Sequence, residues 1–180
     1  MANTNRTTEP PPPPVASRAL TLRAAARDDI AAVMRVERTP GYEVLVGRSE
    51  EAEHRAMVAS PAYAYRLGVG AGGAVEAFAI LGRLGDPHGN VYLKRVAVAR
   101  PGQGTGTAFL GLVLDEAFGA MGASRLHLDC FADNSRAQAV YAKLGFTRDG
   151  ILRQAYRQPD GSRKDLVLMA LLKDEWEALR

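Results

Sequence analysis

The chain has 180 residues, with 23 Lys and Arg against 20 Asp and Glu and a formal net charge of +3, enough for one domain with a core of its own. The cations are scattered among acids, and no basic run interleaved with aromatics speaks for nucleic-acid binding. The single cysteine, Cys130, excludes an intramolecular disulfide and suits a reducing compartment, no apolar stretch is long enough to span a bilayer, and the N-terminus lacks the apolar region of a signal peptide, so a soluble cytoplasmic protein is expected.

Residues 1–17 are polar and carry five consecutive prolines, Pro10–Pro14. Proline has no backbone donor and favours an extended chain, so a disordered or semi-rigid leader is expected there and a single folded domain over 18–180. Arg18–Arg23 alternates as a half-buried strand does. Asp28 or Asp29 is placed to cap a helix whose inner face carries Ile30, Val33, Met34 and Glu37, stopped by Pro40-Gly41. A second, more polar helix opens at Ser49-Glu50-Glu51 and ends before Pro61. Two strands follow, Tyr63–Val69 and Val75–Leu84, joined by Gly70-Ala71-Gly72-Gly73, a hairpin signal. The turn Asp86–Asn90 leads into a third strand, Val91–Ala99.

The chain then runs Arg100-Pro101-Gly102-Gln103-Gly104-Thr105-Gly106-Thr107 into an apolar helix, Ala108–Met121. Glycines let backbone approach a ligand closely, and the free N–H groups of a helix's first turn favour phosphate oxygens. A phosphate-bearing ligand and a plain connector both fit this stretch. A P-loop requires Lys-Ser/Thr after the last glycine, where Thr107-Ala108 stands, and a dinucleotide fingerprint requires a glycine at Phe109, so neither is indicated. Next come a strand over Arg125–Phe131, a helix over Asn134–Leu144 closed by Gly145, strands over Phe146–Arg153 and Lys164–Leu172, and a short helical tail. Strands grouped between helices argue for an α/β sandwich with a mixed sheet.

The segment Leu126-His127-Leu128-Asp129-Cys130-Phe131, followed by Asn134, Tyr141 and Gly145-Phe146, resembles the strand–Asn–helix–Tyr–x–x–x–Gly–Phe segment of GCN5-related N-acetyltransferases (the GNAT family). The glycine turn lies about thirty residues upstream, where that family has its acetyl-CoA pyrophosphate loop. The resemblance covers roughly Leu20–Trp176, and the tail looks like the subgroup that includes ribosomal-protein N-terminal acetyltransferases. It implies an α/β fold with a mixed, mostly antiparallel sheet of six to seven strands flanked by about four helices. It also implies transfer of an acetyl group from acetyl-CoA, without a metal, to a primary amine (a protein N-terminus or a small molecule) by direct attack in a ternary complex. A non-catalytic acyl-CoA binding module is the alternative. No nucleic-acid or membrane partner is expected, and a homodimer is left open.

Acetyl transfer to an amine requires that the amine lose a proton, that the developing oxyanion be stabilised, and that the leaving thiolate gain a proton. By resemblance Tyr141 is the acid, facing inward with Ala137, Val140 and Leu144, and Asp129 on the preceding strand is the base. A free Asp, with a pKa of about 3.9, is a weak base for an amine unless burial raises it. His127 shares the strand face of Asp129 and starts nearer the working pH, and Glu37 and His54 are candidates from the acceptor side. Main-chain N–H groups of Val96, Ala97 and Val98, on a strand splayed from its neighbour, are expected to polarise the carbonyl. Asn134 is expected to cap its helix and to touch the pantetheine arm. The family's loop often carries Arg or Gln where this chain has Pro101, which has no N–H. The pyrophosphate is therefore assigned to the backbone of Gln103, Gly104, Thr105, Gly106 and Thr107, with Arg100 an outer charge. Cys130 alternates with Asp129 and is expected to face the core.

Overall fold

A computed structural model describes residues 20–180; the leader and the first residues of the expected opening strand lie outside the described residues. Strand β1 (Thr21–Ala24) leads to α1 (Ile30–Glu37) and α2 (Glu51–Ala59), then to β2 (Ala64–Val69), β3 (Val75–Gly82) and β4 (Asn90–Val98). Helix α3 (Thr105–Asp115), β5 (Arg125–Phe131), α4 (Ser135–Lys143), β6 (Thr147–Arg157), β7 (Arg163–Leu172) and α5 (Lys173–Ala178) complete the order. The seven strands form one sheet in the order β1-β2-β3-β4-β5-β7-β6. Every neighbouring pair is antiparallel except β4 and β5. The expected mixed sheet is borne out, with five α-helices among the described residues in place of about four.

The two faces of the sheet carry separate cores. On one, Val33 and Val36 of α1 pack against Leu67, Phe78, Ile80 and Ala97. On the other, Phe109, Leu110 and Val113 of α3 and Tyr141 of α4 pack against Leu81, Leu93, Leu126 and Leu128. Strand alternation produces this division, since successive side chains point to opposite faces. Helix α1 buries Ile30, Val33, Val36 and Glu37; Met34, expected on that face, is only half-buried. Asp29 supplies the expected cap one turn early: its carboxylate accepts the Ala26 N–H at 2.8 Å and grips Arg23 with both oxygens at 2.7 Å. Helix α3 lies close to the sheet because Gly68 leaves room: a Cβ there would sit 2.7 Å from the Phe109 ring.

The helix expected over Ala108–Met121 starts three residues earlier, at Thr105. It ends in a wider turn over Glu116–Ala120, where the Met121 N–H donates to the Glu116 carbonyl at 2.9 Å. Both oxygens of Glu116 accept from Arg66 Nε at 2.7 Å, which ties this turn to β2. No helix of the described residues is long and apolar enough to cross a membrane.

Candidate active site

Strands β4 and β5 pair only at Asn90–Tyr92 with Arg125–His127. Beyond that point β4 stays with β3 and β5 stays with β7, so the two strands part and open a gap. A cavity of about 700 Å³ fills it. The glycine turn, α4 and the loop after α1 close its sides.

A bulge sets which β4 groups face the gap. Ile80 opposes Arg95 while Leu81 opposes Leu93, leaving Lys94 as an extra residue. Upstream of the bulge Tyr92 points to the α1–α2 side and Leu93 to the α3 side. Downstream, Arg95 and Ala97 point to the α1–α2 side, with Val96 and Val98 against the α3 core. The Ala99 N–H donates to the Glu76 carbonyl at 2.7 Å, and bonds between antiparallel strands recur at every second residue. The main-chain groups of Ala97 therefore serve β3, and those of Val96 and Val98 turn to the gap. Ala97 reaches the cavity only as lining, which removes it from the expected N–H donors. The Val98 pair is already engaged: the Tyr42 hydroxyl donates to its carbonyl at 3.0 Å and accepts from its N–H at 3.4 Å.

The opposite lip is β5. Leu126 and Leu128 belong to the α3-side core and Cys130 packs on it, as expected, while also lining the cavity. Burial, with the charge of Asp129 acting in the same direction, pushes its thiol up to about 11, which favours the protonated form near neutral pH. His127 and Asp129 take the other face. Asp129 lines the cavity and accepts the Tyr92 hydroxyl at 2.8 Å. The Tyr92 ring stacks on His127 with centroids 5.2 Å apart. Burial, helped by the charges of Arg125 and Arg83, holds His127 below its ordinary value, and its Nδ1 is buried with no hydrogen-bond partner among the described residues. Burial is also the main cause that raises Tyr92, followed by its bond to Asp129.

Tyr141 reaches the cavity from α4, on the α3 side, and is 9% exposed. Its hydroxyl makes no hydrogen bond among the described residues. Burial raises its pKa well above the ordinary phenol value, with Cys130 and Asp129 contributing in the same direction. Asn134 caps α4, its Oδ1 accepting the Ala137 N–H at 3.1 Å, and lines the cavity as well. Gly104, in a left-handed conformation with φ 77°, is the residue from which α3 starts. Gly104, Gly106 and Thr107 line the cavity; Gln103 and Thr105 do not, and Arg100 turns outward to pair with Glu76 at 3.0 Å. The cation beside the loop is instead Arg136, whose guanidinium stands 3.1 Å from where a Gly102 Cβ would be.

Glu37 and His54 do not line the cavity. Both are fully buried beneath it, in a polar cluster between α1, α2 and the sheet. Glu37 Oε1 accepts from Arg95 at 2.5 Å, and its Oε2 accepts the Ser49 N–H at 3.3 Å and meets His54 Nε2 at 3.4 Å. An ionised carboxylate can only accept, which places the Nε2 proton on His54; Nδ1 lies 2.9 Å from the Tyr65 hydroxyl. Burial pushes the Glu37 carboxyl up, and His54 and Arg95 more than offset it, leaving a net lowering. Enclosure of this kind argues against either residue as the base, since neither lines the cavity.

A family model described as acetyltransferase (GNAT) family matches residues 31–146. The chain belongs to that family. Among curated GNAT relatives, the ribosomal protein bS18-alanine N-acetyltransferase of Haemophilus ducreyi is 42% identical over 52 residues, 29% of this chain and 36% of that protein. Its Escherichia coli K12 counterpart is 41% identical over 69 residues, 38% of this chain and 45% of that protein. The chain thus matches less than half the length of these relatives. A chimera of the Vibrio cholerae spermidine N-acetyltransferase SpeG and hSSAT superposes with a TM-score of 0.78 at 19% identity, over 88% of this chain and 98% of that one. A dodecameric spermidine N-acetyltransferase from Vibrio cholerae superposes at 0.74 and 18% identity, over 87% and 95%. At such identities the likeness establishes the GNAT fold.

Sequence reasoning missed Tyr92, Arg95, Tyr42 and Arg136. A β-branched strand with a central tyrosine and arginine gives no sign of function, because the signal lies in strand register and in the bulge at Lys94.

Proposed function

We propose that this GNAT protein transfers an acetyl group from acetyl-CoA to a primary amine by direct attack in a ternary complex. The observation that carries this reading is the placement of Asp129 and Tyr141 on opposite faces of one gap, with gap-facing β4 backbone between them. The pyrophosphate sits on the first-turn N–H groups at Gly104, Thr105, Gly106 and Thr107, with Gln103 at the turn. Arg136, whose guanidinium stands beside Gly102, supplies charge to a loop in which Pro101 takes the place of the Arg or Gln often found in the family. Pantetheine lies along the Val96 and Val98 edge, beside Asn134.

The amine enters from the α1–α2 side. Asp129, fixed by the Tyr92 hydroxyl, accepts the ammonium proton directly or through one water. The nitrogen lone pair then attacks the thioester carbonyl, whose oxygen is stabilised by the Val96 N–H. The C–S bond breaks toward the opposite face, where Tyr141 gives its proton to the thiolate, and the proton that the attacking nitrogen sheds as it becomes the amide restores the phenol through water. Burial keeps the Tyr141 phenol protonated through neutral and mildly alkaline pH, and an unpartnered hydroxyl is free to meet sulfur. No group of three or more His, Cys, Asp or Glu able to hold a metal occurs among the described residues, and each step above uses side chains and backbone alone.

The test has two arms. Acetyl-CoA, present at about 100 times its Kd, is expected to stabilise the protein by about 2.7 kcal/mol in thermal denaturation, where ATP and NAD do not. Thiol release over a panel of amines and N-terminal peptides is expected to reveal acceptors. Stabilisation by acetyl-CoA with no acceptor modified would leave an acyl-CoA binding module.

A further inference from the structure

The acceptor half of the cleft carries a cation with an unused binding edge. Arg95 projects from the bulged part of β4 to the α1–α2 side and lines the cavity, with its side chain 10% exposed. One terminal nitrogen, NH1, is locked by Glu37 Oε1 at 2.5 Å and Ser49 Oγ at 3.3 Å. The other edge of the guanidinium, Nε with NH2, makes no hydrogen bond among the described residues. Gly47 leaves that edge uncovered: a Cβ there would lie 3.0 Å from NH2 and 3.5 Å from Nε. Gly47 has no positive φ, so its backbone accommodates any residue, and what glycine uniquely provides is space over the guanidinium.

Charge around the cavity points the same way. Its lining holds Lys94, Arg95 and Arg136 against a single carboxylate, Asp129. A polyamine needs acidic partners for its remote ammonium groups, and among the described residues that line the cavity the one carboxylate is Asp129. Arg95 is also close enough to Tyr92, the partner of Asp129, for its charge to act on that phenol. The open guanidinium edge and the Asp129 carboxylate therefore belong to the same cavity.

We propose that Arg95 anchors a carboxylate of the acceptor, so that the preferred substrate is an amine bearing a carboxylate a few atoms from its nitrogen, with the ammonium toward Asp129 and the carboxylate on the Nε–NH2 edge of Arg95. A planar fork and a carboxylate match in geometry, and Glu37 preorganises the fork from behind. This rests on the transferase reading above.

The experiment compares kcat/KM by thiol release for glycine, β-alanine and γ-aminobutyrate against their amides, for a peptide with Asp at its second position against the Asn peptide, and for spermidine. The expected result is a preference of about tenfold or more for one carboxylate series over its neutral partner, the scale of charge-assisted hydrogen bonds. Whether the free amino acids or the acidic peptide shows it identifies the source of the carboxylate. Two variants bear on the anchor itself. R95K keeps a charge for Glu37 and loses the fork, and G47A fills the space over the edge. Both are expected to raise KM for the carboxylate acceptor about tenfold with kcat within about threefold, while stabilisation by acetyl-CoA persists as the check on folding. Neutral amines or spermidine used as well as the carboxylates overturn the anchor and leave the transferase standing. A preference that survives both variants overturns the role of Arg95. Acetyl-CoA binding without modification of any amine overturns both readings together.

Discussion

On the α3–α4 wall of the cleft, the groups facing the gap come from two short contiguous motifs, the glycine turn into α3 and the stretch Asn134–Tyr141 that caps and forms most of α4. On the α1–α2 wall they come from contacts far apart in the chain: Tyr42 to Val98 across 56 residues, Glu37 to Arg95 across 58, and Tyr92 to Asp129 across 37. The first wall is built from local backbone geometry and, in the proposed reaction, serves the cosubstrate, which is the same in every reaction of this type. The second is built from strand register and a buried ion cluster and, in the same proposal, serves the acceptor. Local motifs tolerate change elsewhere in the fold, whereas a wall made of long-range pairs can be rebuilt by altering a few side chains. Such a division lets one cosubstrate site be combined with many acceptor sites.

The sharpest way to break this comparison is at Tyr141. Y141F is expected to lower kcat by about 10²–10⁴-fold, the usual contribution of a general acid, with little effect on the KM for acetyl-CoA. Because burial raises the folded pKa of Tyr141, wild-type kcat should hold past pH 10, roughly the ordinary phenol value, before the acid is lost. A kcat undiminished in Y141F, measured by thiol release from pH 6 to 11, would remove Tyr141 from the chemistry.

On the other wall, D129N is expected to cost about 10²-fold at neutral pH. Part of that loss should return at higher pH, where the free amine forms without help. Equal losses at all pH values would point to a positioning role instead.

Glu37 tests whether the acceptor wall depends on its buried cluster. E37A leaves Arg95 unpaired in a largely enclosed site and is expected to destabilise the fold by about 3–5 kcal/mol, read by urea denaturation. Acid should mimic the loss. The folded pKa of Glu37 is lowered, so its contribution is present above the ordinary carboxylate range and is lost as pH falls through the folded value.

The smallest effect falls at the seam between the walls. The Tyr42 hydroxyl sits on the Val98 N–H and carbonyl, the groups assigned to pantetheine. Y42F should tighten acetyl-CoA binding by up to about tenfold, the value of one or two hydrogen bonds no longer broken on binding. Weaker binding in Y42F, by calorimetry, would place Tyr42 among the ligand's partners.

Much of the α3–α4 wall was legible in the residues. The Asn134 cap, the inward face of Tyr141 and the helix start at the glycine turn follow from spacing and capping chemistry, which act over a few residues. Cys130 and the pairing of faces along β5 were legible for the same reason, since alternation is a property of the strand alone. What misled was reach. Arg100 looked like the charge for the phosphate loop because it is next to it in sequence, yet it turns away to Glu76, and the guanidinium beside Gly102 belongs to Arg136, at the start of the next helix. Glu37 and His54 looked like bases because they are titratable and near the acceptor side, but their partners enclose them completely.

By itself the sequence determined the α/β class, the mixed sheet, the family, and the glycine turn from which a helix starts, because each depends on periodicity or on a contiguous motif. Only the tertiary structure decided that Ala97 bonds to β3 while Val96 and Val98 face the gap, and that Tyr92 secures Asp129. It alone decided that Arg95 keeps one edge open beneath Gly47. Those facts depend on the register of β4 between β3 and β5 and on one extra residue at Lys94. A shift of a single position there exchanges every side chain between the two faces, and no local pattern records it.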